Sequence, residues 1–157
     1  MSNRSKAELM AEITARMRAM QVAADLFDDA SAELLGVNRT DHRALDILDQ
    51  EGPMTAGRLA ERNHLSPAAM TTAVDRLEAK GYARRFRDPH DRRRVLVEMT
   101  PLARRRAMKI YGPLADAANR ILPRYSADEL EAVARVLADA TEINAAELER
   151  VKKMKGI

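Results

Sequence analysis

Six arginines fall between positions 84 and 94, at Arg84, Arg85, Arg87, Arg92, Arg93 and Arg94, against two aspartates, Asp88 and Asp91, a net of +4. Guanidinium groups at this density suit one chemistry above others. They make forked, charge-assisted hydrogen bonds to phosphate oxygens, and they enter a narrow, electronegative groove. The run Arg87-Asp88-Pro89-His90-Asp91-Arg92-Arg93-Arg94 has no apolar residue to anchor it, so it is expected to project into solvent. Within it, Arg93 is the candidate for minor-groove insertion, and Arg92 and Arg94 are candidates for phosphate contact. Asp91 is acidic where a nucleic acid would lie, so its expected work is to orient Arg93 through a carboxylate–guanidinium bond. Arg84 and Arg85 fit a nucleic-acid contact and an ordinary strand position equally well.

A second set of residues precedes the arginines. Ser66 stands where an N-cap belongs, and Pro67 follows at the first helical position, where its missing N–H costs nothing. Gly81 follows Lys80 as a left-handed cap requires, so a helix is expected over Pro67–Lys80. Met70, Ala73, Val74 and Leu77 recur at spacings of three and four and make its inward stripe. Pro67, Ala68, Thr71, Thr72 and Arg76 are left facing out, with Ala69 near the edge. Alanine and threonine methyls can meet a thymine methyl, threonine hydroxyls can bond base edges or phosphates, and Arg76 can fork onto a guanine or a phosphate. Small residues near the helix start permit close approach, and its free N–H groups favour a phosphate.

These residues need elements to position them. Two β-type runs, Tyr82–Phe86 and Val95–Met99, flank the arginine loop, with Val95, Val97 and Met99 alternating onto one face. Upstream, Leu9, Ile13, Met17, Met20, Ala24 and Phe27 mark one stripe on a long helix reaching about Leu35. Thr40 can cap a helix carrying Ala44, Leu45 and Leu48, ended by Gly52-Pro53, and Thr55 can cap a short helix to about Arg62. That short helix, the turn at Asn63-His64-Leu65 and the helix after Ser66 form a helix-turn-helix; the charged ribbon makes it winged. Downstream, Thr100-Pro101 repeats the cap-then-proline start. Leu102, Leu114, Ala118, Ile121 and Leu122 lead to Pro123, with a kink or break expected at Gly112-Pro113. Ser126-Ala127-Asp128-Glu129 is a capping box opening a helix toward Met154, with Leu130, Val133, Leu137, Thr141, Leu148 and Val151 on one side. The fold class is therefore mainly α with a small β-wing. One domain of this size rarely needs so much helix, so the surplus apolar faces are expected to pack against a second copy.

Composition narrows the functional classes. The 157 residues hold no Cys and no Trp, and aromatics make up 3 %. The first fact excludes thiolate metal sites and thiol redox sensing; the rest argues against an aromatic stacking platform for single strands. No apolar run approaches a membrane span, and MSNRSKAELM lacks the apolar core of a signal peptide, so a cytoplasmic protein is expected. The formal charge of +3 is unevenly spread. Residues 1–50 carry 6 Lys/Arg and 9 Asp/Glu, residues 51–125 carry 16 and 8, and residues 126–157 carry 5 and 7. The excess positive charge lies with the ribbon, as an electrostatic footprint for phosphate should. His42, His64 and His90 have no nucleophile motif beside them. No H-E-x-x-H, glycine-rich phosphate loop or paired-carboxylate motif is present, so no enzyme activity, metal or cofactor is expected. The nine methionines read as packing.

The chain resembles the MarR family of bacterial transcription regulators over roughly Glu8 to Arg150. The specific part is Leu65-Ser66 through Val74-Asp75-Arg76-Leu77-Glu78-Ala79-Lys80-Gly81, then Asp88-Pro89-His90-Asp91-Arg92-Arg93-Arg94-Val95-Leu96-Val97 and Met99-Thr100. Asp91 and Arg93 match the family's Asp-x-Arg wing motif, and Met99 stands where Leu is usual, a swap conservative in volume. The resemblance implies one domain over residues 8–150, with a DNA-binding core at about 40–100 and dimerisation helices at about 5–35 and 101–155. It implies a homodimer on a pseudo-palindromic duplex, with the helix in the major groove and wing 87–94 at the minor groove. The usual action is repression, relieved by a small aromatic or anionic effector or an oxidant. By the same resemblance the effector would sit near Met17, His42, Arg43 or Tyr111. The site set is then Ser66, Pro67, Ala68, Ala69, Thr71, Thr72, Arg76, Asp91, Arg92, Arg93 and Arg94. The alternative is a winged-helix module for protein interaction or scaffolding without sequence-specific DNA binding; an acidic or apolar wing would favour it.

Overall fold

In the computed structural model, which describes residues 4–154, the elements are α1 (Lys6–Leu35), α2 (Arg39–Glu51), β1 (Met54–Thr55), α3 (Ala56–Arg62), α4 (Pro67–Ala79), β2 (Ala83–Arg87), β3 (Val95–Met99), α5 (Pro101–Ile121) and α6 (Ala127–Lys153). A 3₁₀ turn at Leu122–Arg124 separates the last two. The fold is mainly α with a small antiparallel sheet. The described chain divides into two compact units, one ending at residue 110 and the other beginning at residue 111. Residue 155, the last of the expected dimerisation segment, lies outside the described residues.

The first unit is built on one core. Leu48, Leu59, Met70, Val74 and Leu77 are fully enclosed, and Leu45, Ala60, Tyr82, Val97 and Met99 join them. The inward stripe read on α4 is therefore the buried one. Ser66 caps α4 by accepting from the Ala69 N–H at 3.2 Å. At the other end Gly81, at φ +72°, turns the chain with its N–H on the Glu78 carbonyl and the Tyr82 N–H on Leu77. Thr55 caps α3 as read.

Several boundaries differ from the sequence reading. The N-cap of α2 is Asn38, whose side chain accepts from the Asp41 N–H at 2.8 Å; Thr40 lies inside the helix. Both residue types cap well. Thr40 is instead taken up by the core side, its carbonyl accepting from the buried Asn63 side chain at 3.1 Å. Strand β2 begins at Ala83, because Tyr82 completes the cap of α4 and sends its hydroxyl to the Leu35 carbonyl. Residues Met54 and Thr55 form a third strand against Val97 and Leu96, giving the order β1-β3-β2. Val97 and Met99 are buried, but Val95, at the far end of the ribbon, is 47 % exposed.

Pro113 does not break α5. Losing one N–H from a helix of 21 residues is offset by the remaining turns, and the helix ends at Ile121, just before Pro123. Ser5 caps α1 and Ser126 caps α6, each in a capping box with Glu8 and Glu129. Only Ser31, Ala32 and Leu35 of α1 are buried, and no described residue of α6 is.

Candidate nucleic-acid interface

The exposed face of α4 is small and neutral. Pro67, Ala68, Ala69, Thr71 and Thr72 are all exposed. The Thr71 hydroxyl donates to the Pro67 carbonyl at 3.0 Å, and that of Thr72 to Ala68 at 3.1 Å. With their protons committed to the backbone, these hydroxyls keep lone pairs as acceptors, and the alanine and threonine methyls supply apolar contact.

Arg76 has a different surrounding from the one its position suggests. Its Nε donates to Asp41 Oδ2 at 2.9 Å and its Nη2 to Asp41 Oδ1 at 2.5 Å. Asp41, on α2, is 2 % exposed. These hydrogen bonds raise the Arg76 pKa further above its ordinary value, against a smaller opposing effect of burial. The expected fork onto guanine or phosphate therefore meets a guanidinium whose forked edge already holds a carboxylate.

The wing is a turn that holds itself. The Asp88 N–H donates to the Arg94 carbonyl at 3.0 Å, and the Arg94 N–H to the Asp91 carbonyl at 2.9 Å. Arg87 Nη1 reaches the Arg92 carbonyl at 3.0 Å. Asp88 is buried, and its Oδ1 accepts from the His90 N–H at 2.9 Å. That bond chiefly, then the Asp91 N–H and the Arg94 and His90 charges, hold the Asp88 carboxyl below its usual range, while desolvation opposes them. Asp91 does not grip the Arg93 guanidinium as the sequence reading expected. Its Oδ1 accepts from the Arg93 backbone N–H at 3.0 Å, because a carboxylate two residues upstream closes an Asx turn more readily than it reaches a long side chain. Arg94 Nη1 lies 3.8 Å from Asp88. Among the described residues, neither Arg92 nor Arg93 pairs with a carboxylate.

Arg84 and Arg85 both have partners in the fold. Arg84 pairs across the ribbon with Glu98 and lies over the Phe86 ring, 5.9 Å from its centroid. Arg85 reaches from β2 to α4, meeting Asp75 at 2.8 Å, Glu78, and the Thr71 carbonyl at 3.4 Å. Its own N–H donates to Glu78 Oε1 at 2.7 Å. Asp41 and Arg85 were absent from the sequence-derived site. A signal for Asp41 existed: with Ala44, Leu45 and Leu48 it occupies positions i, i+3, i+4 and i+7, so a carboxylate stands on the apolar stripe of α2.

Away from this face, Asp25, Asp28, Arg39, His42, Arg43 and Asp46 line a polar cavity of about 120 Å³ between α1 and α2. Of the four residues the resemblance put near an effector, His42 and Arg43 line it. Among the described residues no cluster of metal-ligating side chains occurs, and no helix is long and apolar enough to cross a membrane.

Comparisons with known proteins agree with this architecture. A model of the MarR family matches residues 37–95. The HTH-type transcriptional regulator YcgE of Bacillus subtilis is 36 % identical, with 95 % of this chain and 97 % of that protein aligned. Among solved structures, the transcriptional regulator BldR from Sulfolobus solfataricus is 28 % identical with a TM-score of 0.52, covering 87 % of this chain and 99 % of its own. A MarR family protein from Bacillus stearothermophilus shares the fold at a TM-score of 0.64 and 20 % identity, over 90 % of this chain and 99 % of its own.

Proposed function

The chain belongs to the MarR family of transcription regulators, and from that premise we propose that it is a dimeric, effector-responsive repressor that binds a pseudo-palindromic duplex. In this reading α4 lies in the major groove, with Pro67, Ala68, Ala69, Thr71 and Thr72 toward the bases and Ser66 at the helix start beside a phosphate. The wing carries Arg93 to the minor groove and Arg92 and Arg94 to phosphates, while Asp91 shapes the turn that presents Arg93. The observation that carries the reading is the pairing of a small, neutral, exposed face on α4 with a wing whose Arg92 and Arg93 have no carboxylate partner among the described residues.

Dimerisation follows from the apolar surface left over. Leu9, Ile13 and Met20 of α1 and Val133, Leu137, Leu148 and Val151 of α6 are each at least 38 % exposed. Exposed stripes of that length are most simply covered by a second copy. A small aromatic or anionic effector would enter the cavity between α1 and α2, meeting His42 and Arg43 there beside the carboxylates of Asp25, Asp28 and Asp46 and the Asp-paired Arg39. A gel-shift titration on the DNA upstream of its own gene tests the reading, with stoichiometry measured in the same complex. Two chains per site and a preference over a scrambled duplex of equal length are expected. Equal binding to both duplexes would favour the interaction-module alternative.

A further inference from the structure

Arg76 stands on the same helical row as two proposed readers. Ala68, Thr72 and Arg76 are spaced i, i+4 and i+8 along α4, one above another on one face. Arg76 is pinned to α2 by a forked, two-bond contact to Asp41, and Asp41 is enclosed. Among the described residues, Arg76 is the one group whose N–H reaches either Asp41 oxygen. The backbone of Asp41 is fixed as well, through its N–H on the Asn38 side chain.

Resting on the DNA-reading assignment above, we propose that Asp41 is a positioning residue for recognition: by holding Arg76 it sets the rotation of α4 about its axis, and Arg76 does not read a base. If Arg76 swung onto DNA, Asp41 would remain buried, charged and unpaired. Arg76 itself is partly exposed, but the carboxylate it would leave is enclosed, and stranding that buried charge costs more than one base contact returns. The pair therefore stays closed in the complex. Because Thr72 lies one turn from Arg76 on the same row, an anchor at Arg76 fixes where Thr72 aims. Arg85 anchors the neighbouring side of the helix through Asp75, Glu78 and the Thr71 carbonyl. A reader held from α2 and from β2 has little freedom to rotate, and discrimination between bases requires that fixed geometry.

The test uses the full chain, its own upstream duplex and a scrambled duplex of equal length, with affinity measured across a salt series. Asp41→Asn keeps the shape and leaves the Arg76 charge in place. Operator affinity is expected to fall on the order of tenfold, as for other directly coupled neighbours, with no fall on the scrambled duplex and no change in salt slope. Should Asp41→Asn not fold, Arg76→Lys carries the test, since it keeps the charge and loses the fork; the same pattern is expected. Asp41→Asn binding the operator as tightly as the parent, or more tightly, would overturn the inference, because a released Arg76 would then be reading DNA. Equal losses on both duplexes, or a flatter salt slope in Arg76→Lys, would overturn it in favour of general destabilisation or a phosphate contact. A parent that does not prefer its own upstream duplex overturns the DNA reading instead, and the inference with it.

Discussion

Helix α4 and the wing tip differ in what holds them. Met70, Ala73, Val74 and Leu77 of α4 are completely enclosed, and guanidinium groups tie the helix to α2 and β2. The wing tip, residues 89–94, is exposed throughout and is ordered mainly by hydrogen bonds within its own turn. A helix fixed on several sides can discriminate between bases, since a misplaced contact cannot be repaired by moving. A self-contained turn bearing Arg92 and Arg93, neither paired with a carboxylate among the described residues, can supply attraction and tolerate small displacements. In the proposed function the two regions take different tasks, selection in α4 and affinity in most of the wing.

The largest effect should come from the anchored side of α4. Leu77→Ala leaves a cavity in a filled core and is expected to cost about 2–5 kcal/mol of stability. Urea denaturation measures it, and the folded fraction should keep its operator preference. Arg93→Ala should come next, weakening operator binding by roughly 1–3 kcal/mol while the melting curve stays put. Fluorescence anisotropy beside thermal melts checks both halves. Smaller again is Arg92→Ala or Arg94→Ala, which should lower affinity on every sequence and flatten the salt slope by about 1 per lost phosphate contact. Thr72→Ala should change base preference and cost under about 0.5 kcal/mol of stability, as exposed substitutions do.

The smallest effect concerns acid. Asp88 has its carboxyl lowered chiefly by the His90 N–H. Its contribution to the wing turn is then present above the ordinary carboxylate range, ~3.9, and is lost only as pH falls through the lowered native value. In the parent the His90 amide signal should hold through the ordinary carboxylate range and shift only at lower pH, and in Asp88→Asn that shift should be absent.

Much of this division could be read in the sequence because its signals are local. Caps and stops sit within a few residues of what they terminate, so α3, the start of α4 and β3 were placed correctly from Thr55, Ser66-Pro67 and the valine alternation. Strand β1 was not, since two residues carry no periodicity. The Asx turn at Asp91 was misread as a side-chain pair because both options use the same two residues. Arg76 shows the harder limit. Its partner is 35 residues away, and helical spacing says which way a side chain faces, not what meets it there. Arg85 is similar, half-buried against a helix that the strand pattern does not mention.

Selection of operator variants from a randomised duplex pool, run in parallel with the parent, Thr72→Ala and Arg92→Ala, tests the division most directly. The preference of Arg92→Ala should match the parent's at every position, with weaker binding overall, while that of Thr72→Ala should change at the major-groove positions of each half-site. An altered preference in Arg92→Ala, together with an unchanged one in Thr72→Ala, would contradict the account and move the reading function from α4 to the wing.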